Sequence, residues 1–245
     1  MKNKKIKTLS LLFSGFAFGE ANKIYTFFTK EYGLIKAIGY GTRKHKNRYS
    51  GLFELCNVLE LVLTTPKKGE LYIISDCVLI KSHHKIREAS EVLAHIYNVV
   101  EAMSNMIKMS TENDEIFDLM LLTLENFCKN QNNVFALSRA FLIKVLKIQG
   151  FLPDLNFCTK CHKKIDNEMY ITEKIGWFLC SFCKNLSSKR LSEKSYDYLI
   201  ETTSTSINNL SLWQFSKFEK SELKRLVNMI IYSVINKQLI TEKII

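Results

Sequence analysis

Two hydrophobic periods divide the chain. Up to about residue 82, apolar residues alternate with polar ones or gather in short β-branched and aromatic runs separated by turn residues. From Ala89 onward they recur at three and four. The first pattern predicts five strands, at residues 6–13, 23–30, 34–40, 52–64 and 71–80. Glu31-Tyr32-Gly33 and Pro66-Lys67-Lys68-Gly69 read as turns between neighbours. In the fourth segment Phe53, Leu55, Leu59, Leu61 and Leu63 share a face opposite Glu54 and Glu60. Five short strands in about 80 residues suit a small closed barrel.

The second pattern predicts helices. Ala89, Val92, Leu93, Ile96, Val99, Val100, Met103, Met106 and Ile107 form one face of a long helix. Thr111 or Asn113 caps the next, with Glu112, Asp114 and Glu115 near its positive end. A third, over residues 134–149, is apolar on a wide arc and stops at Gly150, with Pro153 beyond. Residues 192–200 read as a further helix and 202–212 as a polar loop. Ser216-x-x-Glu219 opens a last amphipathic helix. His95, four residues after Glu91, reads as part of an exposed helical face. The expected domains are 1–82 and 83–245.

Charge sharpens this division. The 245 residues carry 35 Lys+Arg against 24 Asp+Glu, a net of +11. Residues 1–82 hold 14 basic and 6 acidic side chains, net +8; the remaining residues hold 21 and 18, net +3. A basic first third suits a polyanion, either nucleic acid or an anionic membrane surface. No run of 18 apolar residues is present to span a bilayer. Residues 1–18 have the outline of a secretory leader, with Ala17-Phe18-Gly19 as a poor cleavage site. Ser10, Ser14 and Gly15 interrupt its apolar stretch.

Seven cysteines, an odd number, argue for a reduced compartment, and four of them form two Cys-x-x-Cys pairs. Cys158 and Cys161 are followed after 18 residues by Cys180 and Cys183. Two thiolates from one tight turn and two from another complete a tetrahedron, for which zinc is the default ion ahead of iron. Four protein ligands leave no open position, so one structural Zn2+ within residues 156–185 is expected, with His162 as a conceivable alternative ligand. Cys56, Cys77 and Cys128 read as ordinary packing residues.

The second cluster is basic. Arg43, Lys44, Lys46 and Arg48, with His45, fall within six residues; Lys36 precedes them and Lys23 lies on an earlier strand. Such cations neutralise phosphates, and the nearby rings of Tyr40, Tyr49, Tyr25 and Phe27 either stack on bases or fill the barrel. No Gly-rich phosphate loop, G-x-S-x-G or H-E-x-x-H motif occurs, and no acid/base pair stands out. The expectation is therefore a protein that is not an enzyme.

These residues resemble a known family. Gly19-Glu20, Lys23, the run Phe28-Thr29-Lys30-Glu31-Tyr32-Gly33-Leu34-Ile35, Gly41-Thr42-Arg43-Lys44 and Leu59-Glu60-Leu61 are similar to the bacterial DNA repair protein RecO family. So are Phe141-Leu142, Val145-Leu146, Gly150-Phe151, Pro153-Asp154-Leu155 and Cys158-x-x-Cys161, closed by Gly176 and Cys180-x-x-Cys183. The likeness covers roughly residues 1–195. His162 departs from the Gly the family often has after its second cysteine. The resemblance implies an α+β chain: an N-terminal OB-fold β-barrel followed by an α-helical domain with the zinc segment inserted. It also implies a cytoplasmic, nucleoid-associated recombination mediator. Such a protein binds single-stranded and double-stranded DNA, anneals complementary strands and helps RecR load RecA on strands coated by the single-stranded DNA-binding protein, with RecF as a further partner. From a different class, a zinc-stabilised protein-interaction adaptor with incidental DNA contact also fits the residues.

Overall fold

The computed structural model describes residues 4–44, 46–66, 69–107, 113–166, 168–172 and 178–244. His45, Lys67, Lys68, Thr111, Glu112 and Gly176, named above, lie outside the described residues. Two compact units form: residues 1–89 with 107–124, and residues 90–106 with 125–245.

The first unit is built on five strands: β1 (Lys5–Phe18), β2 (Asn22–Thr29), β3 (Gly33–Gly39), β4 (Val58–Thr64) and β5 (Leu71–Lys81). They close in the order β1-β2-β3-β5-β4, with β1 paired to β4 across the seam. Only β3 and β5 run parallel, from Lys36 opposite Leu71 to Ile38 opposite Ile73. This is the OB-fold order. Residues 9–18, which resemble a leader, lie in strand β1, which pairs with β4 through Lys5–Leu11 and with β2 through Ser10–Phe18.

The alternation read from the sequence sets the core. Leu12, Tyr25, Phe27, Ile35, Leu59, Leu61, Leu63 and Ile74 fill the barrel, joined by Tyr49 from the basic loop. Tyr25 fits because small residues face it: a Cβ on Gly15 would lie 2.6 Å from its ring, and one on Gly39 would lie 3.0 Å away. Tyr25, Phe27 and Tyr49 are thus barrel filling, which removes them as base-stacking rings. The fourth strand starts at Val58 rather than residue 52, because the chain turns first. Cys56 adopts a left-handed φ of 62°, and its N–H donates to Leu12 O at 2.9 Å.

Strand β1 contains one irregularity. Between Leu12 and Ser14 its register against β2 skips a residue, at Phe13. A residue inserted into one strand reverses which face each later side chain takes. Before the skip Leu12 points into the core; after it Gly15 does, and Phe16 and Phe18 turn outward. Lower on the outer surface, Phe13 and Phe28 have centroids 5.6 Å apart, and Phe28 lies 5.5 Å from Phe117. Phe117 belongs to the first part of α3 (Asp114–Lys129), which packs on the barrel within this unit.

The second unit is helical: α2 (Ser90–Met106), α4 (Val134–Ile148), α5 (Glu193–Ser204) and α6 (Lys217–Ile235). A short α1 (His84–Glu88) precedes them in the first unit. Helix α4 is buried nearly all round and packs against α2, α5 and α6, as its wide apolar arc predicts. It stops at Gly150, whose φ of 75° only glycine takes freely. Ser216 and Glu219 form the reciprocal capping box that starts α6. The stretch expected as a polar loop is ordered instead. Helix α5 continues to Ser204, and Ile207–Leu212 makes a 3-10 turn with Ile207 and Leu210 buried.

This unit buries charge. Arg139, wholly sealed on α4, donates to Glu242 Oε1 at 3.1 Å and to Asn98 Oδ1 at 3.0 Å. Asn98 Nδ2 donates to the same Glu242 oxygen at 2.9 Å. Glu101 accepts the N–H groups of Ile240 and Thr241 at 2.8 and 2.9 Å, pinning the turn that carries Glu242. His95 is not on an exposed face: it is 5% accessible and lies 2.9 Å from the Ser138 hydroxyl. Burial first, then the charges of Arg139, Lys220 and Lys224, push its pKa down to about 3.

Candidate metal centre and nucleic-acid interface

Cys158 and Cys161 sit in one tight turn. The Cys158 N–H donates to Lys163 O and the His162 N–H to Cys158 O, both at 2.8 Å. His162 adopts φ 58° to close that turn. This is the left-handed region that glycine fills freely and histidine tolerates, which accounts for the departure from Gly here. Its ring is exposed and takes no part in the sulfur cluster, so it is not a fifth donor. Cys180 and Cys183 form a second turn, with the Cys183 N–H donating to Cys180 O at 3.1 Å.

Backbone hydrogen bonds bring the two turns together. Thr159 donates from both its N–H and its hydroxyl to Phe178 O, at 2.9 and 3.1 Å. Phe178 lies in β7 (Phe178–Leu179), which pairs with β6 (Tyr170–Ile171); β6 in turn pairs with β8 (Lys189–Arg190). All four sulfurs lie within 4.8 Å of one another, and Cys161 Sγ is 3.8 Å from Cys180 Sγ. A tetrahedron with metal–sulfur bonds of ~2.3 Å has edges of about 3.8 Å, so the spacing fits a four-coordinate ion.

One of the sulfurs is prepared for charge. Burial opposes ionisation of Cys158, yet backbone N–H groups of Cys180, Cys161 and Lys160 aimed at its sulfur bring its pKa down to about 6. Cys183 is pushed up to about 12, by its hydrogen bond with Cys161 foremost and then by burial. A dication held among the four sulfurs would favour the thiolate form that metal binding requires.

The basic segment runs from Lys36 in β3 into a built loop over residues 40–48. Gly41 N–H donates to Asn22 Oδ1 at 2.9 Å, and Arg43 N–H donates to Ala21 O at 3.0 Å. Asn47 Nδ2 ties the middle of the loop by donating to Lys44 O at 2.8 Å. Arg43 gives one guanidinium N–H to Gly19 O at 2.8 Å. Arg48 lies 4.5 Å above the Tyr49 ring centre and donates to Ser75 O at 2.6 Å. Lys36, Arg43, Lys44, Lys46 and Arg48 are all exposed; Lys23, opposite Gly39, is half-buried. The loop thus holds its cations on the barrel surface with donors to spare.

Three rings face outward beside this loop: Tyr40, which the sequence already offered, and Phe16 and Phe18, which sequence reasoning missed. Only the register skip at Phe13 reveals the orientation of the last two.

The family model for the N-terminal part of recombination protein O matches residues 1–83, and that for its C-terminal part matches residues 87–240. The chain belongs to the recombination protein O (RecO) family. The DNA repair protein RecO of Caldicellulosiruptor saccharolyticus is 26% identical over 234 residues, covering 96% of this chain and 95% of the relative. That of Acetivibrio thermocellus is 26% identical over 223 residues, 89% of this chain and 87% of the relative. The RecO of Prosthecochloris aestuarii is 29% identical over 153 residues; this match spans 62% of the chain and 58% of that protein's length. The RecO barrel is the OB-fold the strands form, and the four cysteines lie within the part matched by the C-terminal model. Among the described residues no helix is long and apolar enough to cross a membrane.

Proposed function

We propose that this RecO-family chain is a cytoplasmic, nucleoid-associated recombination mediator that acts without covalent chemistry. It binds single- and double-stranded DNA and anneals complementary strands. With RecR it helps place RecA on strands coated by the single-stranded DNA-binding protein, and RecF joins the same process. The observation that carries the reading is a structured, exposed basic loop on an OB barrel in a chain matched to RecO over both its parts. Residues 1–82 are the DNA-binding domain, and residues 83–245 the helical domain with the zinc segment.

Lys36, Arg43, Lys44, Lys46 and Arg48 contact phosphates, with Lys23 at the edge of the track. A cation's pull on phosphate is independent of base sequence, as annealing of arbitrary strands requires. Cys158, Cys161, Cys180 and Cys183 hold one zinc ion that fixes the two turns and supplies no open coordination site.

The test is annealing of complementary strands pre-coated with the cognate single-stranded DNA-binding protein. Acceleration without nucleotide is expected. Tight binding to the coated strands with no acceleration favours the adaptor reading instead. One observation speaks for that second reading: Phe182, between two of the cysteines, is 93% exposed, a protruding ring suited to a partner's groove.

A further inference from the structure

From the outer surface of the barrel we infer that Phe16, Phe18 and Tyr40 form a stacking platform for the unpaired bases of a single strand, beside the phosphate track of the basic loop. The inference rests on the DNA-binding reading above and names which side chains read the unpaired state.

The sheet register brings these rings to one face. Phe16 sits opposite Ile24, which sits opposite Ile38; Phe18 sits opposite Asn22, and Asn22 Oδ1 accepts the Gly41 N–H just after Tyr40. Phe16 and Phe18 are two residues apart on β1, hence about 6.6 Å along the strand. Tyr40 lies across β2 from them, at roughly 10 Å by strand spacing.

Exposure separates these rings from the barrel's other aromatics. Phe16, Phe18 and Tyr40 are 54%, 49% and 59% accessible, whereas Phe13 and Phe28, lower on the outer surface, are sealed under Phe117. Inverting β1 at Phe13 turns Phe16 and Phe18 away from a core that had room only for Gly15 beside Tyr25. Bulges that re-aim side chains occur beside functional sites.

Charge selects the occupant. Segments 14–26 and 36–48 contain six Lys and Arg and a single acid, Glu20. Arg43 is tied to Gly19 O, at the turn directly after Phe18. Rings flanked by cations suit a polyanion with flat apolar faces: a single-stranded nucleic acid. A duplex offers this surface its phosphates alone, because its bases are already stacked.

The test compares full-length wild type with Phe16→Ala/Phe18→Ala and with Tyr40→Ala, using oligo(dT) and a duplex of equal length. Single-strand affinity is expected to fall about fivefold to a hundredfold per ring, while duplex affinity holds within about twofold and the salt slope is unchanged. Phe18→Trp is expected to keep single-strand affinity and to add indole fluorescence quenched by oligo(dT). Unchanged single-strand affinity, equal loss on both DNAs, or added fluorescence in Phe18→Trp that oligo(dT) does not alter each overturns the platform. Failure of the underlying reading looks different. An Arg43→Glu/Lys44→Glu/Lys46→Glu variant that binds both DNAs as wild type does would remove the phosphate track itself.

Discussion

Arg139 and Arg43 carry the same guanidinium and use it in opposite ways. Arg139 lies in the core of the helical unit, with Glu242 and Asn98 taking its N–H groups. Arg43 stands on the barrel surface, gives one N–H to Gly19 O, and keeps the rest facing solvent. The comparison extends to the units. The barrel fills its interior with carbon and rings and puts its charge outside on a tied loop. The helical unit draws Arg139, Glu242, His95 and two of the four clustered cysteines inward. Buried charge specifies a packing arrangement and leaves nothing for a ligand; exposed charge on a stiff loop does the reverse. Substitutions in one unit should therefore read out as stability and in the other as affinity.

The largest expected effect is on the cysteine turns. One zinc per chain should be found by metal analysis, and Cys158→Ser should lose it. Structural zinc is worth roughly 10–16 kcal/mol in small modules, so residues 156–190 should become sensitive to protease. A variant that keeps its zinc and its protease resistance would contradict the four-sulfur site.

Next is the ion network. Arg139→Met should destabilise the helical unit by up to about 3–5 kcal/mol, because the largely buried Glu242 loses its closest cation and keeps only Lys224, 3.7 Å away. Pairing it with Glu242→Leu should restore much of that loss. Urea unfolding measures both; equal losses in the single and double variants would mean that lost packing, not the weakened pairing of Glu242, is responsible.

His95 makes a smaller, pH-dependent contribution. Its pKa in the folded chain is near 3 against an ordinary 6.5, so between these values the unfolded chain takes a proton that the folded chain refuses. Stability is present in full above about pH 6.5 and falls as pH drops toward 3, by at most about 1.4 kcal/mol per pH unit. His95→Gln should flatten the slope between pH 6 and 5, a window above the ordinary carboxylate range. If the slope persists there in His95→Gln, another group carries it.

What the sequence made legible was local. Cys158 with Cys161, and Cys180 with Cys183, are each separated by two residues, so spacing alone announced the site. Gly150 and Ser216-x-x-Glu219 marked helix ends, because caps are satisfied within one turn. What escaped was set by distant neighbours. Arg139 and Glu242 are 103 residues apart. His95 lies on a helix whose pattern allowed exposure until Ser138 packed against it. Phe16 and Phe18 share a phase with Leu12 in the sequence, and one inserted residue moved them to the other face. Tyr25 and Phe27 were ambiguous for the same reason, since alternation identifies two faces and not which is inside.

The smallest expected change in stability belongs to the variant that tests the account most directly. Arg43→Glu/Lys44→Glu/Lys46→Glu should unfold in urea within about 0.5 kcal/mol of wild type, since all three are exposed loop residues. The same protein, titrated with single-stranded and duplex DNA over a range of salt, should bind both more weakly. Its salt slope should be shallower by about 0.7–0.9 for each phosphate it no longer neutralises. That pairing, intact fold with weakened and less salt-sensitive binding, is the predicted result. DNA binding with an unchanged salt slope would contradict the assignment of this loop to phosphate.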